Sequence, residues 1–172
     1  GQVLVEVIAC GICRTDLHIL DGELDRPTLP LIPGHQVVGT IGAVGDDVTD
    51  RRVGDLVGVP WLGWADGTCG YCTSGRENLC LDARFTGYDL DGGYAGGLVV
   101  DARFCLPVPR GFEPVAATPL LCAGAIGYRA LRLAGDGGLI GLYGFGNAAR
   151  LVTQIALHEG RRVFAVTRPG DT

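Results

Sequence analysis

LIGLYGFGNAARLVTQIALHEGRRVFAVT, residues 139–167, changes its hydrophobic period twice along its length. LIGLYG reads as a strand, NAARLVTQIALHEG as a helix, and RVFAVT as a second strand. That order is a β-α-β unit, so a parallel α/β layer begins here. The joint GFGNAA sets Gly144, Gly146 and Ala149 at the spacing G-x-G-x-x-G/A. Alone the pattern is weak, but here it follows a strand and opens a helix, as the motif requires. Such a turn brings backbone N–H groups and a helix N-terminus against a pyrophosphate, so these three residues are candidates for dinucleotide binding. About twenty residues on, an acidic side chain would hold the ribose 2′-hydroxyl of NAD. The chain has Thr167 and Arg168 there, which leave room and charge for a 2′-phosphate and lean toward NADP over NAD. The plainer reading of Arg168 is a solvated surface charge.

Upstream the pattern is different. VLVEVIA (3–9), GHQVVGTIGAVGDDV (34–48), VGDLVGVP (53–60) and YAGGLVVD (94–101) read as strands, the second broken by glycines. Thr15 and Asp16 ahead of LHIL predict a capped short helix, and a proline-rich loop covers 27–33. From Pro114 to Leu133 the spacing turns helical, with Gly124 and Gly127 expected to interrupt it. The boundary is placed near residue 123: a mainly β first domain, 1–123, and an incomplete α/β domain, 124–172.

Composition narrows the function. All 14 basic residues are arginine, they form no stripe, and the net charge is −5, which argues against nucleic acid as a partner. No apolar run approaches a membrane span, and the N-terminus reads as a strand rather than a signal peptide. Methionine is absent even from position 1, which suggests an internal piece of a longer protein. Seven cysteines cannot all pair, so a reducing, cytoplasmic setting with metal-bound thiolates is expected.

Two groups of residues invite a metal. In WADGTCGYCTSGRENLC (64–80), Cys69, Cys72 and Cys80 keep a counted spacing, and Asp66 stands three places before Cys69. This is either a four-ligand site with a carboxylate in first place or a broken one. Cys13, His35 and Cys122 lie in GICRTDLH, GHQ and PLLCAG, and none is diagnostic alone. Gly34, His35, Gly39, Gly45 and Val48 also satisfy G-H-x-x-x-G-x5-G-x2-V.

With these segments in this order, followed by FTGYDLDGGYA, LLCAGAIGYRAL and the glycine turn, the chain resembles the zinc-dependent alcohol dehydrogenases of the medium-chain dehydrogenase/reductase superfamily. The likeness spans essentially the whole sequence. It implies a GroES-like β-barrel catalytic domain followed by the first β-α-β of a Rossmann domain. It implies two zinc ions per chain, one catalytic on Cys13, His35 and Cys122, one structural on Asp66, Cys69, Cys72 and Cys80. Thr15 would start a proton relay with His18 as its outer member. Asp16 would orient His35, Arg14 would contact the cofactor pyrophosphate, and Cys10 would be a bystander. The substrate would be a small alcohol or aldehyde, the cofactor NADP or NAD, and the whole protein a homo-oligomer. Thr15 and Asp16 have a blander role open to them as helix caps. His158 reads as surface, and Trp61, Leu62 and Trp64 as pocket lining or barrel packing.

The chain departs from the family twice. Gln36 stands where glutamate commonly follows the histidine ligand, which removes a negative charge near the metal and predicts modestly reduced turnover or altered zinc exchange. Asp66 replaces the first of four cysteines. Aspartate also binds zinc, at about 2.0–2.2 Å against about 2.3 Å for sulfur. A weakened site of one carboxylate and three thiolates is therefore expected in preference to three orphan thiols. The competing functions are a zinc-free NADPH reductase, a non-catalytic zinc module, and a dithiol redox protein built on Cys10 and Cys13. With two cofactor-domain strands in the sequence, these residues alone are expected to be inactive.

Overall fold

The computed structural model describes residues 1–25, 27–168 and 170. They divide into two compact units, Gly1–Leu121 and the segment from Cys122 onward.

The first unit is built on alternation. In β1 (Gln2–Cys10) Val3 and Val5 point inward and are buried, while Gln2, Leu4 and Glu6 face out. After α1 (Arg14–Leu20), β2 (Val37–Val44) returns antiparallel to β1, with register shifts between Leu4 and Val5 and between Val7 and Ala9. Such bulges bend the strand and sharpen its twist. Gly39 is required where they meet, because a β-carbon there would lie 2.2 Å from the Glu6 carbonyl oxygen. β3 (Leu56–Val59) pairs with β2. A separate hairpin of β4 (Leu62–Trp64) and β5 (Arg84–Phe85) carries the cysteine lobe between its arms. β6 (Gly97–Asp101) and β7 (Leu106–Pro107) complete a five-stranded sheet in the order β6-β1-β2-β3-β7. Val3, Val5, Val37, Ile41, Val57, Val59, Leu98 and Val100 fill its core around Cys105. The Cys105 thiol is fully buried, and that burial pushes it up to about 12.

The strands read from sequence at 53–60 and 94–101 are shorter in the structure. Asp55 instead accepts the Arg52 N–H in a turn, and Gly93 and Tyr94 bond back to the loop at 33–34. The helical stretch is also divided differently. α2 (Pro114–Ala117) and a 3-10 turn (Thr118–Leu121) end the first unit, and α3 (Ala123–Leu133) opens the second. The break falls at Cys122, and Gly124 and Gly127 do not interrupt α3. Both are buried within it, and a β-carbon on Gly127 would meet Val152 Cγ2 at 2.8 Å. The glycine is there for close helix packing.

In the second unit β8 (Leu139–Tyr143) and β9 (Arg162–Val166) are parallel, joined by α4 (Asn147–His158). Leu131, Ile140, Val152 and Ala156 form its core. Arg161 is buried and held by Glu159 and the Gly135 carbonyl. No helix among the described residues is long and apolar enough to cross a membrane.

Candidate metal centres

α1 begins on a cysteine. Cys13 is its N-cap: its sulfur accepts the Thr15 N–H at 3.4 Å, and Asp16 Oδ2 accepts the Cys13 N–H at 2.8 Å. This is a capping box with sulfur where serine or threonine is usual. Asp16 therefore caps as expected, but Thr15 lies inside the helix and is not the cap.

The same geometry aims two donors at one point. Gly34, at φ +101°, turns the chain so that His35 enters the interior, where it is fully buried. Its Nε2 lies 3.2 Å from Cys13 Sγ, and its Nδ1 lies 3.2 Å from Asp16 Oδ1. Burial opposes the Asp16 charge, but the His35 ring and the Cys13 amide outweigh it and hold the carboxyl below its ordinary range. Nδ1 and Oδ1 face each other at that 3.2 Å without closing a hydrogen bond. A carboxylate beside Nδ1 favours the tautomer that leaves the Nε2 lone pair free, the arrangement of a metal-ligating histidine. Trp61 stands edge-on to His35 at 4.9 Å and stacks on Phe85 at 5.0 Å. Gln36 is buried beside them, and its Nε2 has no hydrogen-bond partner among the described residues. Cys122 belongs to the second unit, where it precedes α3. It is joined to Leu121, whose side chain packs over Gly58 of β3.

The lobe brings its four residues together. One ligand atom from each of Asp66, Cys69, Cys72 and Cys80 lies within 4.8 Å of the others. Tetrahedral donors at about 2.3 Å from zinc stand about 3.8 Å apart, so the group fits such an ion after a small contraction. Asp66 divides its oxygens between two tasks. Oδ1 accepts the N–H groups of Thr68 at 2.5 Å and Cys69 at 2.7 Å, which shapes the loop, while Oδ2 lies 3.1 Å from Cys80 Sγ. The Cys69 and Thr68 amides pull the Asp66 carboxyl far below the usual range. Burial pushes the Cys72 thiol up to about 12. Cys10 joins neither group; its thiol packs against Gly34 and Gly93.

The other sequence candidates are more open. Arg14 is exposed at the start of α1, and His18 pairs through Nδ1 with Glu23, a partner that went unread because nothing in LHILDGE marks it. Gly144 adopts φ +87° and donates its N–H to Val166 at 2.8 Å, tying the glycine turn to the end of β9. Gly146 is the N-cap of α4 and Ala149 lies in its first turn, with no side chain capping the amides. Thr167 and Arg168 follow β9 and are exposed, as His158 is at the end of α4.

Residues 1–110 match the family described as the alcohol dehydrogenase GroES-like domain. "Probable alcohol dehydrogenase AdhA" of Mycobacterium tuberculosis (strain CDC 1551 / Oshkosh) is 46% identical over 98% of this chain and 51% of its own length. A solved structure described as CAD from Helicobacter pylori complexed with NADP(H) superposes with TM-score 0.91 at 30% identity, covering 97% of this chain and 51% of that one. A cobalt- and zinc-bound thermostable alcohol dehydrogenase from Pyrobaculum aerophilum gives 0.89 at 26% identity, covering 98% and 52%. The chain thus spans about half the length of the curated relatives it matches. With its five-stranded sheet, its Cys13 beside the buried His35–Asp16 pair and this match over most of its length, the chain belongs to the family of alcohol dehydrogenases with a GroES-like domain.

Proposed function

We propose that this chain carries the catalytic domain and the opening β-α-β of the Rossmann domain of a zinc-dependent, NADP-linked alcohol dehydrogenase, with domains meeting near residue 123. The observation that carries the reading is the His35 ring, held by Asp16 on one nitrogen and presented to Cys13 on the other. Cys13, His35 and Cys122 would hold the catalytic zinc. Bound there, it supplies Lewis acidity toward an alcohol or carbonyl oxygen while hydride passes to or from the nicotinamide. Asp66, Cys69, Cys72 and Cys80 would hold a second zinc that closes the lobe, giving two per chain.

The remaining residues position substrate, cofactor and proton. The Thr15 hydroxyl, two residues after Cys13, takes the substrate proton, and His18 passes it outward, with Glu23 holding the imidazole. Gly144, Gly146 and Ala149 open the helix terminus that receives the pyrophosphate, and Arg14 adds a cation to it. Thr167 and Arg168 accept a 2′-phosphate, so NADP is favoured over NAD, in keeping with the NADP(H) complex of the Helicobacter pylori relative. The substrate is a small alcohol or aldehyde, and the whole protein is a cytoplasmic homo-oligomer.

The test is zinc content and aldehyde reduction by the full protein, wild type against His35→Ala. Two zinc ions, faster reduction with NADPH than with NADH, and loss of one ion together with activity in the variant are expected. Reduction undiminished by His35→Ala overturns the catalytic assignment.

A further inference from the structure

We infer that Tyr94 is a positioning residue that staples the Cys13-bearing and His35-bearing loops at ligand separation. The inference rests on the metal reading above and adds to it a residue from a third segment of the chain.

The segment DGGY (91–94) lies along IPG (32–34) like a short strand. Gly92 donates its N–H to Ile32 at 2.7 Å, Gly93 to Gly34 at 2.9 Å, and Tyr94 to Pro33 at 3.0 Å. The approach is so close that a β-carbon on Gly92 would lie 2.1 Å from the Gly34 carbonyl oxygen. The Tyr94 ring then covers Gly34, the residue before His35: a β-carbon there would meet Tyr94 Cδ1 at 2.8 Å. At its far end the Tyr94 hydroxyl donates a long hydrogen bond, 3.4 Å, to the carbonyl of Gly11, two residues before Cys13. Gly11 in turn donates its N–H to Gln36 at 2.9 Å, so the two loops are already in register where the tyrosine crosses them.

The hydroxyl also feels the charge of Asp16, the partner of His35. Burial pushes the phenol up, and the Asp16 charge pushes it the same way, so it stays protonated as a donor. One side chain thus touches the loop of one ligand and the loop of the other. Two ligands 22 positions apart in sequence must otherwise be brought together at the moment of binding. A strap that does this beforehand raises affinity and slows release.

The experiment is metal release to a chromophoric chelator from the full protein, as zinc and as cobalt, for wild type, Tyr94→Phe and Tyr94→Ala. Tyr94→Phe keeps the ring and loses the hydroxyl contacts; first-site metal should leave about 3- to 10-fold faster. Tyr94→Ala should approach the roughly 10- to 100-fold effect of losing an outer partner of a metal site. Its cobalt spectrum should also shift, as the ligand geometry relaxes. Release from the Asp66–Cys80 lobe is the reference, because general loosening of the fold would speed both sites. First-site release at the wild-type rate in Tyr94→Phe, or equal acceleration at both sites, overturns the inference. Should Tyr94→Ala not fold, Tyr94→Phe decides alone. A wild-type protein with no thiolate-bound cobalt at Cys13 overturns the metal reading itself, and the inference with it.

Discussion

Replacing Asp16 by asparagine separates its two duties. Oδ2 accepts the Cys13 N–H at 2.8 Å, and the asparagine oxygen can accept that bond in its place. Oδ1 faces His35 Nδ1 at 3.2 Å, and there asparagine presents N–H groups where the ring needs an acceptor. The ring then holds its proton on Nε2, pointing at Cys13 Sγ, where a free lone pair is required to bind metal. Loss of an outer partner of this kind typically weakens metal binding about 10- to 100-fold, or about 1.4 to 2.8 kcal/mol. Fold stability should change far less, because the cap on Cys13 survives. Asp16→Ala removes both duties and leaves the half-buried Cys13 N–H without its acceptor, which costs a further ~1 kcal/mol of folding free energy. The assay is competition for zinc against a chromophoric chelator, paired with thermal unfolding, on the full protein. Zinc affinity in Asp16→Asn within twofold of wild type would refute the tautomer argument, whatever the unfolding curves show.

Three more outcomes are expected. Asp66→Cys, which supplies a fourth sulfur, should slow zinc release from the lobe, although the Thr68 and Cys69 amides lose their acceptor; faster release would show that the loop contacts dominate. Gln36→Glu should raise turnover modestly in steady-state assays, and an unchanged or lower rate counts against a role for the missing charge. Asp101 is held below the usual carboxylate range because bonds from Arg103 outweigh its burial. Its stabilising contribution is therefore complete above about pH 4 and lost as pH falls through the lower folded value, so acid unfolding of Asp101→Asn should begin at higher pH than wild type.

Regular segments were legible because their periods are long enough to count. β1, β2, β8 and α4 each carry five or more residues of one pattern, and the glycine turn falls between the last two as its spacing predicts. β4 and β5 were not legible: three and two residues hold no period, and the lobe separates them. Gly124 and Gly127 misled, because a buried glycine that admits a neighbouring helix looks in sequence like one that ends its own. The Cys13 cap was hidden for a chemical reason, since sulfur is not among the usual capping atoms. Tyr94 and its glycines are visible as the run DGGY, yet their meaning depends on IPG lying beside them in space. The carboxylate in the lobe could be read as a ligand from its place in the count, but its second task in shaping the loop depends on where its other oxygen lands.

Seven thiols share this chain, and the one at the heart of the β-sheet core is unlike the rest. Cys105 stays un-ionised at any physiological pH and out of reach of solvent. A thiol reagent should therefore modify it only in molecules whose sheet has come apart, whatever happens to the sulfurs that bind metal. The first unit contains its own clock for opening of its sheet, readable by mass at a single position.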